Sequence, residues 1–68
     1  MSLNEIMRKN LKLLREEKKW SLENLSKISE IDIETLSDIE KGKDFDIDLL
    51  FILCRIYNIK VYRIFSPL

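Results

Sequence analysis

The chain has no histidine, and only one cysteine, one glycine and one proline, in 68 residues. Each scarcity removes a class of function. Without histidine, and with Cys54 alone, there is no ligand set for a zinc-type centre and no disulfide within the chain. Cys54 sits in an apolar run and reads as a small buried hydrophobe. A single glycine rules out a glycine-rich loop that could cradle phosphates. With so few glycines and prolines, the chain should consist of helices joined by short turns. The longest apolar run, 49–54, is far below the roughly 20 residues that cross a bilayer. The first residues lack the basic-then-apolar order of a secretion signal. No two carboxylates are spaced for a catalytic pocket, and no cofactor is implied. These exclusions leave a soluble cytoplasmic protein that is not an enzyme.

What is present is a single domain, residues 1–68. Hydrophobic residues make up 46 % of the chain, too apolar for disorder. A domain this small buries only about 60 % of the surface its unfolded chain exposes, so its stability is marginal. The formal net charge is zero, but it is unevenly spread. Residues 1–19 carry a net +3, residues 20–48 a net −6 and residues 49–68 a net +3. A uniformly basic nucleic-acid binder would not show this pattern.

Helical periodicity recurs four times. Leu3, Ile6, Met7, Leu11 and Leu14 predict a first helix over 3–18, with Ser2 and Glu5 spaced as a capping box. Ser21 is an N-cap candidate for a second helix over 22–29, where Trp20 and Leu25 are placed as a hydrophobic staple. Asp32, with Ile31 and Leu36 as staple, opens a third helix over 33–41 that ends on Gly42. Asp46, with Phe45 and Leu50, opens a fourth over 47–57. Its apolar residues lie on most faces, which predicts a central helix. Asn58 closes it, and a short fifth helix over 61–65 stops before Pro67. The expected fold is all-α and compact, with five helices. Helices two and three, separated by about three residues, form a helix-turn-helix.

Three segments now resemble one family, in order along the chain. The stretch from Leu14 to Leu25 is similar to the first-to-second helix segment of XRE/Cro-type repressors. The stretch from Ile31 to Gly42 resembles their recognition helix with its Ile-Glu-x-Gly ending. The stretch from Tyr57 to Phe65 resembles their last helix. The chain is thus similar to the lambda-repressor-like helix-turn-helix family over nearly its whole length. The resemblance implies a sequence-specific DNA-binding transcription regulator, a repressor, working as a homodimer on double-stranded DNA. It implies that helix three enters the major groove, with Ile33, Glu34 and Asp38 facing bases and Thr35 and Ser37 beside them. Ser21, Lys41 and Lys43 would approach phosphates, with Lys18, Lys19 and Lys27 as further bases at the edges. Arg15 and Glu40 would form a structural ion pair. Tyr62, Ile64, Phe65 and Leu68 supply apolar surface for a dimer or complete the monomer core.

The sequence departs from the family pattern at Leu22, where glutamine is usual, at Glu30, where the turn glycine is usual, and at Phe45, where proline is usual. Glu30, Asp32, Glu34 and Asp38 also make the groove-facing side acidic, which works against a phosphate array. An alternative on the same fold is a protein-interaction module: an anti-repressor or modulator whose acidic third helix meets the basic surface of another regulatory protein.

Overall fold

The computed structural model describes residues 2–43 and 46–68. Among these are four α-helices, α1 (Leu3–Glu17), α2 (Leu22–Ser29), α3 (Ile33–Lys41) and α4 (Ile47–Tyr57), followed by a 3₁₀ turn, Val61–Phe65. The fifth helix of the sequence reading is therefore this turn. Its N-cap position, Lys60, makes no side-chain capping bond. Five residues are too few to repay the nucleation of an α-helix.

The helix starts follow their caps with one exception. Ser2 Oγ accepts from the Glu5 amide at 3.2 Å. Ser21 Oγ accepts from the Asn24 amide at 3.0 Å, and Asn24 Oδ1 accepts from the Ser21 amide at 3.1 Å, a reciprocal box. Asp46 Oδ1 accepts from the Asp48 amide at 2.9 Å. Asp32, expected to cap α3, makes no side-chain capping bond. The turn before α3 is held from the α2 side instead. Ser26 Oγ donates to the Ile31 carbonyl at 2.6 Å, and Ser29 Oγ accepts from the Ile31 amide at 3.2 Å. Phe45, expected as a staple residue, lies outside the described residues.

Every helix hands over to its turn through a residue in the left-handed region. These are Lys19 (φ 59°), Glu30 (φ 62°), Gly42 (φ 74°) and Asn58 (φ 54°). Only Gly42 takes that conformation without a Cβ penalty; Asn is the next most tolerant residue. Lys19 and Glu30 hold it under strain. In both, the chain turns as a glycine would turn it.

The core is one cluster: Met7 and Leu11 from α1, Leu25 from α2, Leu36 and Ile39 from α3, Leu50, Leu53, Cys54 and Tyr57 from α4, with Ile31 and Ile64. Helix α1 packs against both the 3₁₀ turn and α3, and α2 against α3. The polar Asn10 is buried within α1. Its Nδ2 donates to the carbonyls of Ile64 and Ser66, both at 2.7 Å, and so fastens the end of the chain to the first helix. Helix α4, expected to be central, is half surface. Ile47, Phe51 and Ile52 are exposed, at 49, 50 and 38 %. Apolar residues on several faces show what a helix could bury rather than what it does bury. Leu3 and Ile28, on the apolar faces of α1 and α2, are also exposed. No described helix is long and apolar enough to cross a membrane.

Candidate nucleic-acid interface

Helix α3 buries Leu36 and Ile39. Glu34, Ser37, Asp38 and Lys41, spaced three and four residues from one another on the opposite side, then form an outward stripe flanked by Ile33. Ile33 and Glu34 are exposed, as is Lys41, while Ser37 and Asp38 are half-buried along the same stripe. Thr35 is half-buried too. Ile33 presents an apolar methyl group to the outside at 44 % exposure.

One ion pair joins α3 to α1. Arg15 Nε donates to Glu40 Oε2 at 2.8 Å, and Nη2 donates to Oε1 at 3.0 Å. A third guanidinium nitrogen, Nη1, donates to the Trp20 carbonyl at 2.8 Å. This fork therefore ties α1 to α3 and to the start of α2 at once. The side chains are only 13 and 11 % exposed, so the charges depend on each other more than a surface pair would. The bond to Glu40 raises the Arg15 pKa further above its already high value, against the opposing effect of burial. Beside the pair lies Tyr57, whose ring stacks on Trp20 at 6.1 Å between centroids. Burial first, and the neighbouring Glu40 second, push its phenol up; Arg15 pulls the other way. Among the described residues the Tyr57 hydroxyl is a buried side-chain polar atom without a hydrogen-bond partner.

A shallow cleft of about 210 Å³ opens beside this ion pair, lined by Lys12, Arg15, Leu22, Ser37, Glu40 and Lys41. It joins three elements: the first residue of α2, the outward stripe of α3 and the flank of α1. Ser21 stands exposed at the N-cap of α2, with its hydroxyl engaged by Asn24. The box leaves the amides of Leu22 and Glu23, which precede the first helical bond, to face an anion with the helix dipole behind them. Lys41 lines the cleft. Lys43 is exposed, and its amide donates to the Asp38 carbonyl at 3.0 Å.

Two basic residues of this region escape a reading by family position. Lys12 lines the same cleft as Lys41. Arg8 lies one turn earlier on α1, with its Cδ against Gly42, where an added Cβ would come within 2.7 Å. Their i, i+4, i+7 spacing with Arg15 was visible in the sequence and places all three on the face of α1 that meets α3. The four acids of the turn and of α3 are spread differently. Glu30, Asp32 and Glu34 are exposed and Asp38 is half-buried. Among the described residues none of them is in an ion pair; Arg15–Glu40 is the one pair found. Asp32 and Glu34 suit the positive end of α3.

Residues 11–64 match the family model described as helix-turn-helix. The chain belongs to the helix-turn-helix family. The match spans the ion pair, the cleft and the whole of α2 and α3, and the family is one of DNA-binding regulators. No curated protein and no solved structure matches the chain.

Of the residues expected to form a dimer, Tyr62 is 71 % and Leu68 47 % exposed, and Phe65 is half-buried. Ile64 is fully buried and belongs to the core, where its carbonyl also accepts from Asn10. It is not available to a partner.

Proposed function

We propose that this helix-turn-helix protein is a transcriptional repressor that binds a specific DNA site as a homodimer, with α3 in the major groove. The observation that carries this reading is the cleft at the start of α2. Two lysines, Lys12 and Lys41, flank unpaired helix N-terminal amides beside the outward stripe of α3. That arrangement suits a phosphate next to a groove-reading helix. On this reading Lys12, Lys41 and Lys43 hold the backbone. Ile33 touches a thymine methyl, and Glu34 and Asp38 accept hydrogen bonds from cytosine N4 groups. The acids on α3 then narrow the choice of site, because they oppose every sequence that offers them no donor. The work is binding rather than catalysis, and it takes place on DNA in the cytoplasm.

The test is a titration of the protein against DNA from around its own gene, across salt, with scrambled DNA as control. Binding that prefers one fragment and falls steeply with salt is expected. Lys12→Ala should weaken binding to all sequences and lower the salt slope by about one, whereas Glu34→Ala should relax the preference. No binding at low salt by folded protein would overturn the reading.

A second reading rests on the exposed, unpaired Glu30, Asp32 and Glu34. This acidic edge suits the basic face of another regulatory protein, as in an anti-repressor. The same titration separates the two, since this reading expects no preferred fragment.

A further inference from the structure

The outer face of α4 stands unexplained by the fold and by the DNA-facing cleft. Asp48, Phe51, Ile52 and Arg55 recur at the i, i+3, i+4, i+7 spacing of one helix face, and all four are exposed. The face lies opposite the core residues Leu50, Leu53, Cys54 and Tyr57. It forms a ridge with a groove on either side. One groove, about 330 Å³, is lined by Ile28, Ser29, Ile52, Arg55 and Ile56. The other, about 400 Å³, runs along Phe51, Cys54, Arg55 and Ile59 towards Val61. Phe51 and Ile52 leave two large apolar side chains of the most apolar helix in water, beside the exposed Ile28 and Ile47. A contiguous apolar patch of this kind marks an interaction surface.

The charges on this face say what covers it. Asp48 and Arg55 bear opposite signs and stand two helical turns apart, roughly 10 Å along the axis. The midpoint between them falls between Phe51 and Ile52. A two-fold axis through that midpoint, crossing α4 at right angles, lays a second α4 antiparallel on the first. Asp48 then faces Arg55 of the second copy, and Arg55 faces its Asp48. Phe51 meets Ile52 of the second copy, and each ridge lies along the other's grooves. Neither Asp48 nor Arg55 is in an ion pair among the described residues. A partner of a single sign would satisfy one of these charges and oppose the other. A second copy of the same face satisfies both, which is the self-complementarity an isologous interface needs.

We infer that α4 is the dimerisation helix of this protein, pairing antiparallel with α4 of a second copy through Asp48–Arg55 ion pairs around a Phe51–Ile52 centre. The inference rests on the homodimer proposed above and supplies its contact surface. It is read from association of the protein alone, so it can fail while DNA binding stands, and the reverse.

The experiment is sedimentation equilibrium of the full chain from ~1 μM to ~1 mM, a span that covers weak to moderate dimers. The wild type is expected to dimerise. Asp48→Arg and Arg55→Asp each place like charges opposite one another, and each should weaken self-association at least about a hundredfold. An equimolar mixture of the two variants restores both ion pairs and should associate as a heterodimer about as tightly as the wild type. Phe51→Ser, at a half-exposed position, should also abolish dimers while circular dichroism shows the helices intact, and it covers the case in which a charge reversal unfolds the chain. Three results would overturn the inference. The wild type could remain monomeric at ~1 mM. Folded single variants could dimerise undiminished, which would move the contact to the segment bearing Tyr62 and Leu68. The folded variants could fail to associate when mixed. DNA binding by the same preparations then reports separately on α3.

Discussion

Helices α1 and α4 invert what their compositions suggest. Seven of the fifteen residues of α1 are charged (Glu5, Arg8, Lys9, Lys12, Arg15, Glu16, Glu17), against two of eleven in α4 (Asp48, Arg55). Yet α1 touches α3 and the 3₁₀ turn, and holds them by directed bonds. Arg15 forks onto Glu40 and the Trp20 carbonyl, and Asn10 forks onto Ile64 and Ser66. Helix α4 contributes four core residues and leaves Ile47, Phe51 and Ile52 outside. A polar helix is placed by the partners its few buried polar groups must find. An apolar helix is placed by whichever face gains most, and the remainder waits for another surface.

This contrast can be broken by mutation, and the polar tethers should show the largest effects. Glu40→Ala leaves the Arg15 guanidinium short of two hydrogen bonds in a site only slightly open to water. It should cost about 3 kcal/mol, read from urea unfolding. Asn10→Ala leaves two carbonyls near the chain end without their donor and should cost about 2 kcal/mol, with earlier hydrogen exchange at the 3₁₀ turn than in α2. Glu30→Gly relieves a left-handed non-glycine and should gain about 1 kcal/mol, against the general trend that substitutions destabilise. Phe51→Ser on α4, measured in dilute protein, should change monomer stability by no more than about 0.5 kcal/mol. A loss at Phe51 as large as that at Asn10 would show that the exposed α4 face supports the monomer after all, and the contrast would collapse.

Much of the fold was legible because it is written in local signals. The three helices α2, α3 and α4 begin and end where cap residues and periodicity in the sequence place them, and at α2 and α4 the cap bonds themselves form, since hydrogen bonds at helix ends involve neighbours in sequence. The family resemblance supplied the long-range part, the meeting of Arg15 and Glu40. Other features were hidden for physical reasons. Asn24 closes the α2 box in place of the usual longer Glu or Gln, so the standard spacing passes over it. Glu30 occupies a glycine conformation without being glycine, because the gain from packing α2 on α3 exceeds a strain of about 1 kcal/mol. Asp32 looks like a cap, but Ser26 and Ser29 already hold the turn before it. Lys12 joins Lys41 in lining the cleft only when α1 packs against α3, a distance of 29 residues along the chain. The exposure of Phe51 depends on which face of α4 the rest of the core occupies, and periodicity alone does not choose among apolar faces.

The burial of Tyr57 and Cys54 has a consequence for how the protein meets its surroundings. Both are acids whose pKa is pushed up in the fold, in each case first by burial. The folded chain keeps protons that the unfolded chain would release. Stability from these groups is therefore complete below their unfolded values, about 8.5 for the thiol and about 10 for the phenol, and falls as pH rises above each of them. A Tyr57→Phe variant should lose the upper part of that decline in thermal melts taken from pH 7 to 11. With no histidine in the sequence, the chain also lacks the side chain that ordinarily changes charge between pH 5 and 8. The alternation of basic, acidic and basic stretches thus stays constant while the acidity of the surroundings fluctuates over that range. Whatever governs occupancy of the acidic helix and its lysine-flanked cleft, it is insulated from protons and left to concentration and salt.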